Sequence, residues 1–336
     1  MKSITFRTSY RRFLGFLLSR RVQRCVCIFL VLLAVLILIY RYTQSSVYKI
    51  YYRPSGIDFR VPSAHTKPDM DGHYFLLVIV TSTPSARARR DLIRSTWGDA
   101  NNTDITVRWK LVFNLGQSSS NEINSQVVTE ASLFNDVFMG EFTDTYMNLV
   151  LKVFAAFSWA NKIDCDYILK ADEDVYINLP QLVTWLKRPG VPDSLYGGAL
   201  AKNTGVYRYP WHKHFISYKT YKSDKLHTYC RGPFYILSHN VLSSIIQREV
   251  FRDVFPIEDA YVGLLVKRLG VEPLQLPGCV WERERNLGTV LCDLLSFVCF
   301  GDSLSAANIN HIHKKYLELE KINRTVAMKI CHLNQL

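Results

Sequence analysis

No acidic residue occurs before Asp58, no stretch repeats with a fixed period, no tract is of low complexity, and no cysteine spacing fits a zinc site. The missing repeat excludes solenoid and propeller arrays. The missing zinc pattern leaves the cysteines to other uses. The missing acids locate the charge. The 336-residue chain has a net charge of +12, and ten positive charges lie between Lys2 and Arg53, ahead of the first acid. The remainder is nearly neutral at +2, which excludes a phosphate-backbone surface, and so nucleic acid, as the main partner.

The early charges flank residues 25–40, an uncharged apolar run of 16 residues from Cys25 to Tyr40. As a helix it spans about 24 Å, short of the ~30 Å hydrocarbon core, and Arg24 and Arg41 can snorkel across the difference. Seven positive charges precede the run and three follow it. The positive-inside rule then keeps the N-terminus cytosolic and sends the bulk of the chain to the lumen. A cleaved signal peptide is the rival reading. The 24-residue basic leader, Arg41 directly after the run and the lack of an A-x-A-like site count against it. The expected organisation is a cytosolic tail (1–24), a signal-anchor (25–40), a luminal stem (41–71) and one large domain (72–336).

Cys25 and Cys27 sit at the membrane edge, as apolar filler or as palmitoylation sites. Six cysteines remain for the lumen, an even number that favours disulfides in an oxidising compartment without choosing among their pairings. Asn101-Asn102-Thr103 and Asn323-Arg324-Thr325 are glycosylation sequons consistent with that side of the membrane.

From His73 the pattern turns to alternating strands and helices. Tyr74–Val80 is a continuous apolar run, as in a strand buried on both faces. A helix is expected over 84–97 with Thr83 as N-cap, a strand near 107–113, a helix near 121–132, a short strand at 137–139 and a helix over 145–160. The alternation predicts an α/β fold with a mainly parallel sheet, looser and more aromatic after Leu179.

The most informative segment is Lys170-Ala171-Asp172-Glu173-Asp174-Val175-Tyr176-Ile177-Asn178, which follows the strand-like Tyr167-Ile168-Leu169. Crowded carboxylates at a strand's C-terminal edge cost several kcal/mol unless something offsets them, and that edge is where open α/β sheets bind ligands. A hard divalent cation carrying a phosphate would relieve the repulsion; a solvated acidic turn is the plain alternative. Arg90 and Arg94 share a face of the first helix and could hold phosphates, or form a solvated basic face. Glu258-Asp259 opens a helix, where acids suit the dipole, or supply a general base. His311-Ile312-His313, if extended, puts two imidazoles on one side, as metal ligands or as a surface pair.

Five blocks occur together in order: Arg90-Asp91-Leu92-Ile93-Arg94-Ser95-Thr96-Trp97, Glu141 to Lys152, the acidic motif, Tyr229-Cys230-Arg231-Gly232, and Glu258-Asp259. Together they closely resemble the β-1,3-galactosyltransferase and β-1,3-N-acetylglucosaminyltransferase family over roughly residues 74–315. The resemblance implies a GT-A type domain with a mixed, mainly parallel sheet, a type II Golgi membrane anchor and inversion at the anomeric carbon. It implies a UDP-sugar donor (UDP-galactose, or UDP-GlcNAc as the alternative), Mn²⁺ or another divalent cation, and a glycan acceptor on glycoprotein or glycolipid. Carried over residue by residue, Asp174 would bind the metal, with Asp172 near the ribose or metal. Arg90 and Arg94, and Thr81 at the first strand's end, would seat UDP. Asp259 would be the catalytic base, and His313 would reach the metal.

Three places depart from the family's pattern. Arg231-Gly232-Pro233-Phe234-Tyr235 replaces a loop of smaller residues, Ala260 replaces a commoner valine, and His214 stands where tryptophan is frequent. A catalytically silent glycan-binding relative is the alternative from another functional class.

Overall fold

The computed structural model describes residues 20–51, 61–101, 105–210, 212–247, 251, 253–280 and 297–321. The expectations for the tail before residue 20, for stem residues 52–60, for the sequon residues 102–103 and 323–325, and for Cys292 and Cys331 lie outside them. Two units are present: residues up to Pro54 with Tyr209–His212, and the remainder.

The first unit is dominated by helix α1 (Arg20–Tyr51), 32 residues without a proline or glycine. Its stretch Val22–Tyr40 is 19 residues long with a mean hydropathy of 2.8, long and apolar enough to cross a membrane. It extends the expected run by three residues at its N-terminal end, and about 28 Å of helix nearly matches the ~30 Å core.

The second unit is an α/β domain. Its elements are β1 (Ala64–Thr66), β2 (Tyr74–Thr81), α2 (Arg87–Arg94), β3 (Trp109–Gln117), α3 (Asn121–Phe134), β4 (Val137–Thr143), α4 (Leu149–Ala160), β5 (Cys165–Asp172), β6 (Tyr176–Ile177), α5 (Leu179–Leu186), β7 (Tyr196–Ala201), β8 (Tyr229–Ser238), α6 (His239–Ile246), α7 (Glu258–Arg268), β9 (Leu274–Gln275), β10 (Cys279–Val280), β11 (Cys299–Phe300) and α8 (Ala306–Glu320). The central sheet runs β1-β4-β3-β2-β5-β8-β7-β9. β4, β3, β2 and β5 are parallel neighbours, while β1 and β8 pair antiparallel with β4 and β5. The expected mixed, mainly parallel sheet is therefore present. One boundary moves: β1 lies inside the expected stem, yet it is already the edge of the sheet. Three residues are too short for a periodic signal.

Both faces of the sheet are covered. Leu77 and Ile79 of β2 join a core that includes α4, α6 and α7, while Leu76, Val78 and Val80 join one with α2, α5 and α8. Burial on both sides is why β2 is apolar without alternation. Helix α4 is buried almost throughout, and Phe154 packs edge-on against Phe251 with ring centroids 4.7 Å apart. The chain leaves β2 toward β3 on one side and β5 lies on the other, so a crevice opens at the strands' C-terminal ends.

Two glycines let the far side of that crevice close up. A Cβ on Gly263 of α7 would lie 2.5 Å from the Tyr229 Cβ, and one on Gly232 of β8 would lie 3.2 Å from the Asp259 carboxylate. Helix α7 thereby rests directly on β8 with its N-terminus over Gly232. Among the described residues Cys165, Cys230, Cys279 and Cys299 are unpaired thiols, which corrects the expectation of disulfides for those four. Cys165 and Cys230 act instead as small apolar side chains in the core.

Candidate active site

Thr81 and Asp172 end adjacent parallel strands and are direct neighbours in register. Lys170 lies two residues before Asp172 and so on the same face of β5. Its ammonium is fully buried, 2.5 Å from Asp172 Oδ1, 2.6 Å from the carbonyl of Gly232 and 3.8 Å from Glu258 Oε2. Burial alone would lower the Lys170 pKa, but Asp172 and Glu258 outweigh it and hold the pKa above its ordinary value.

Gly232 is held from its other side as well. Its N–H donates to Asp259 Oδ2 at 2.7 Å, and the N–H of Ala260 donates to Asp259 Oδ1 at 2.8 Å. A chain of direct bonds therefore runs from Asp172 through Lys170 and Gly232 to Asp259. Burial raises the Asp259 pKa, with the two N–H groups and Lys170 opposing it, which strengthens the carboxylate as a base. Its neighbour Glu258 is buried beneath, accepts a hydrogen bond from the Tyr235 hydroxyl at 2.5 Å, and is pushed up to about 7 by burial, with Lys170 opposing and Asp259 adding to the rise.

The three acids of the motif diverge. Asp172 is committed to Lys170. Glu173 turns to the β2 end, where Ser82 and the charges of Arg89, Arg90 and Lys152 oppose the rise that burial imposes on its pKa. Asp174 is pushed up to about 6 by burial, then by Asp172 and Asp302. Asp302 follows β11, and Leu304 N–H donates to the Asp174 carbonyl at 2.9 Å, tying that loop to the acidic turn.

At the β2 end, Lys152 of α4 is buried between the Ser82 carbonyl and Asp144, with Asp144 Oδ2 2.8 Å away. Asp144 also accepts from the N–H of Gly116 at 2.8 Å. Thr81 Oγ1 and Glu173 Oε2 are buried without a hydrogen-bond partner. Buried polar atoms are seldom left so, and these two lie where a polar ligand could satisfy them.

Arg90 and Arg94 share a helix face as expected, but that face turns inward. Arg90 is fully buried, its guanidinium engaged by Glu130 at 2.6 and 2.8 Å, by Ser82 and by the carbonyls of Thr83 and Pro84. Arg94 pairs with Asp136, Asp91 and Glu130 and lies between the rings of Phe113 and Phe134, 4.7 and 4.1 Å from their centroids. The structure thus places both in an internal ion network. Helix α2 is also shorter than expected: its N-cap is Ala86, with no side-chain cap, because residues 83–86 form a turn whose carbonyls receive Arg90.

His313 lies on helix α8 against Tyr176. Residues 311–313 are helical in α8, which puts the two imidazoles on different sides, with Ile312 buried and His311 exposed. His313 Nδ1 is 3.0 Å from the Tyr176 hydroxyl, and burial lowers its pKa. The acid that neighbours Asp174 is Asp302.

No group of three or more His, Cys, Asp or Glu among the described residues is arranged to hold a metal ion. A hard divalent cation does not require one: Mg²⁺-like sites are commonly one or two carboxylates completed by water and substrate phosphate. Asp174 and Asp302, close enough to raise the Asp174 pKa and with no ion-pair partner within 4.0 Å among the described residues, fit that donor set.

Asp302, Lys152, Lys170 and Asp144 were given no role from the sequence. Asp302 had one legible signal, an acid two residues after the apolar Val298–Phe300. The others stand in the quoted motifs, Lys152 with its partner Asp144 and Lys170 with Asp172, but the backbone carbonyls that also hold the lysines, of Ser82 and Gly232, are 70 and 62 residues away.

A family model described as galactosyltransferase matches residues 88–277. Human beta-1,3-galactosyltransferase 1 is 30% identical over 207 residues, 61% of this chain and 63% of its own length. The lactosylceramide 1,3-N-acetyl-beta-D-glucosaminyltransferase A of Xenopus laevis is 29% identical over 208 residues, 59% of this chain and 55% of its own. The matches thus span under two thirds of these relatives. Among solved structures, the WbbM bifunctional glycosyltransferase aligns over 76% of this chain and 53% of its own at 10% identity and a TM-score of 0.43, a likeness too slight to bear on activity.

Proposed function

The chain belongs to the galactosyltransferase family, and on that premise we propose that it transfers galactose from UDP-galactose, in β-1,3 linkage with inversion, to a glycan acceptor. It does so as a GT-A type enzyme anchored by α1 in the Golgi membrane, with its domain in the lumen. The observation that carries the reading is the bonded chain from Asp172 to Asp259. It holds an acid at the strand edge, where a nucleotide's charge would sit, and a base on α7 in one fixed relation.

Asp259 takes the proton of the attacking hydroxyl as that oxygen forms its bond to the anomeric carbon and the bond to UDP breaks. Each carboxylate oxygen of Asp259 already accepts one N–H, which fixes the plane of the group and leaves lone pairs on both oxygens for the hydroxyl. Asp174 and Asp302 would hold a divalent cation, which when bound supplies positive charge to the departing diphosphate. Thr81 and Glu173 offer polar atoms to the nucleotide, and Lys152 keeps Asp144 and the β2 terminus in place. Arg90 supports this end by fixing the residues around Ser82, and Arg94 shares its partner Glu130.

Asp259→Asn keeps the shape of the base but not its proton affinity. It should abolish transfer from UDP-galactose, measured as UDP release with Mn²⁺ and a panel of glycan acceptors, while UDP still binds. Turnover equal to the parent's would end the assignment. UDP-GlcNAc is the second donor to screen, since the Xenopus relative is named for transfer of N-acetylglucosamine.

A further inference from the structure

The connection from β7 to β8 is built unlike the rest of the domain. Residues 202–228 carry six lysines and arginines against a single acid, Asp224, in a domain whose overall charge is close to neutral. The segment is folded: Val206 N–H donates to the Asp224 carbonyl at 2.9 Å, Leu226 N–H to that of Thr204 at 2.8 Å, and Ile216 N–H to that of Tyr207 at 3.0 Å. Ile216 and Leu226 are buried in the core. Arg208 braces the segment from within, its guanidinium 3.9 Å from the Tyr218 ring centroid and bonded to the Ile216 carbonyl.

Where the segment meets the site it presents aromatic rings and a cation together. Tyr146, 47% exposed, stacks on His214 with centroids 6.0 Å apart, and its hydroxyl lies 2.6 Å from His214 Nε2. Tyr207, 43% exposed, meets the same imidazole edge-on. The ammonium of Lys213 is 5.2 Å from the Tyr146 ring centroid. Tyr146 is near enough to Asp259 and Glu258 for their charges, after burial, to raise its pKa. Arg231, in the loop that departs from the family's pattern, precedes the residue whose N–H holds Asp259. Aromatic faces suit the apolar C–H faces of a sugar ring. Cations beside them suit an acid on that ring.

Resting on the transferase reading above, we infer that Tyr146, His214 and Tyr207 form the acceptor platform and that Lys213 selects a glycan bearing a carboxylate close to the reacting hydroxyl. One exposed cation within about 4–5 Å of a carboxylate gives roughly a fivefold preference at low salt, which screening erodes as the Debye length falls from ~30 Å at 0.01 M to ~8 Å at 0.15 M.

The full-length chain in detergent is assayed with two β-glycoside acceptors identical except at C6, one with a glucuronic acid and the other with a glucose terminus. The expected KM is about fivefold lower for the acid, converging with the neutral acceptor as NaCl rises. Lys213→Glu should remove or reverse the preference at an unchanged melting temperature, and Lys213→Arg should retain it. Equal KM values at all salt concentrations overturn the inference. So does salt-sensitive binding to anionic phospholipid vesicles without an acceptor preference, which would assign the basic segment to a membrane surface. UDP-sugar hydrolysis without acceptor separates the two failures. Hydrolysis with no acid preference rejects the acceptor class alone, whereas no UDP release from any donor rejects the transferase reading and this inference with it.

Discussion

Lys170→Met is the most searching single perturbation of the site. Methionine matches the length and apolar stem of lysine but removes the ammonium, so packing is largely retained while two oxygens lose their donor and a third, on buried Glu258, loses its counter-charge. Those oxygens belong to Asp172, 2.5 Å away, Gly232, 2.6 Å away, and Glu258, 3.8 Å away. Removing one partner from a buried ion pair costs about 3–5 kcal/mol because the other charge is left uncompensated. For a domain of this size that lowers the melting temperature by roughly 6–20 °C.

The loss should also depend on pH. Glu258 already has its folded-state pKa raised from 4.5 to about 7, with Lys170 opposing the rise; without the lysine it goes higher. The folded variant then binds a proton more tightly than the unfolded chain, so its stability is greatest below the unfolded value of 4.5 and declines as pH rises toward the folded one. The deficit relative to the parent should therefore be smallest near pH ~5 and largest at pH ~8. Thermal melts of the full chain across that range measure it, and adding Glu258→Gln should recover part of the loss at the higher pH. A Lys170→Met protein that melts with the parent at every pH would refute the reasoning, because the buried ammonium would then hold nothing together.

Arg90→Met strips Glu130, whose side chain is 1% exposed, of two hydrogen bonds. It should cost about 3–5 kcal/mol with the donor KM unchanged at temperatures where the variant is folded; a donor KM raised tenfold or more would return Arg90 to the nucleotide. Asp302→Asn removes one charge from the pair around Asp174 and should raise the Mn²⁺ concentration for half-maximal transfer by about tenfold, on the scale of a lost charge-assisted contact; an unchanged metal titration would take Asp302 out of the cation site.

The sheet was legible because the physics that forms it is local. A strand buried on both faces must be apolar at every position, so β2 announces itself, and the alternation of β2, α3 and α4 with their neighbouring strands follows from turn and helix signals a few residues long. What was not legible is long-range. The spacing of Arg90 and Arg94 shows that they share a face, but Glu130, 40 residues from Arg90, decides that the face points inward. The histidines at 311 and 313 were considered as extended residues, although Ser305, whose side chain caps α8 by accepting from Asn308 N–H at 3.2 Å, was a start signal in plain sight. Lys152 and Lys170 occur in the quoted motifs, yet nothing local shows that a lysine will be buried and paired.

The same distinction changes what the acidic string means. Read along the chain, Asp172-Glu173-Asp174 are three like charges crowded at a strand end, with one cation as the common remedy. In three dimensions they take different partners. Asp172 stays on the β5 face that carries Lys170 and leads toward Asp259. Glu173 turns to Ser82 under the charges of Arg89, Arg90 and Lys152. Asp174 feels the charges of Asp172 and Asp302, which raise its pKa after burial. The protein's own cations therefore resolve two of the three repulsions, one by linking the strand end to the base and one by fixing the β2 terminus. Asp174 has no ion-pair partner within 4.0 Å among the described residues and is raised by the charges of both Asp172 and Asp302, so an external cation would act at Asp174. If so, changing Asp172 should disturb the base and changing Asp174 should disturb the metal, and the two substitutions should differ in kind: the first alters the pH dependence of turnover, the second the metal dependence.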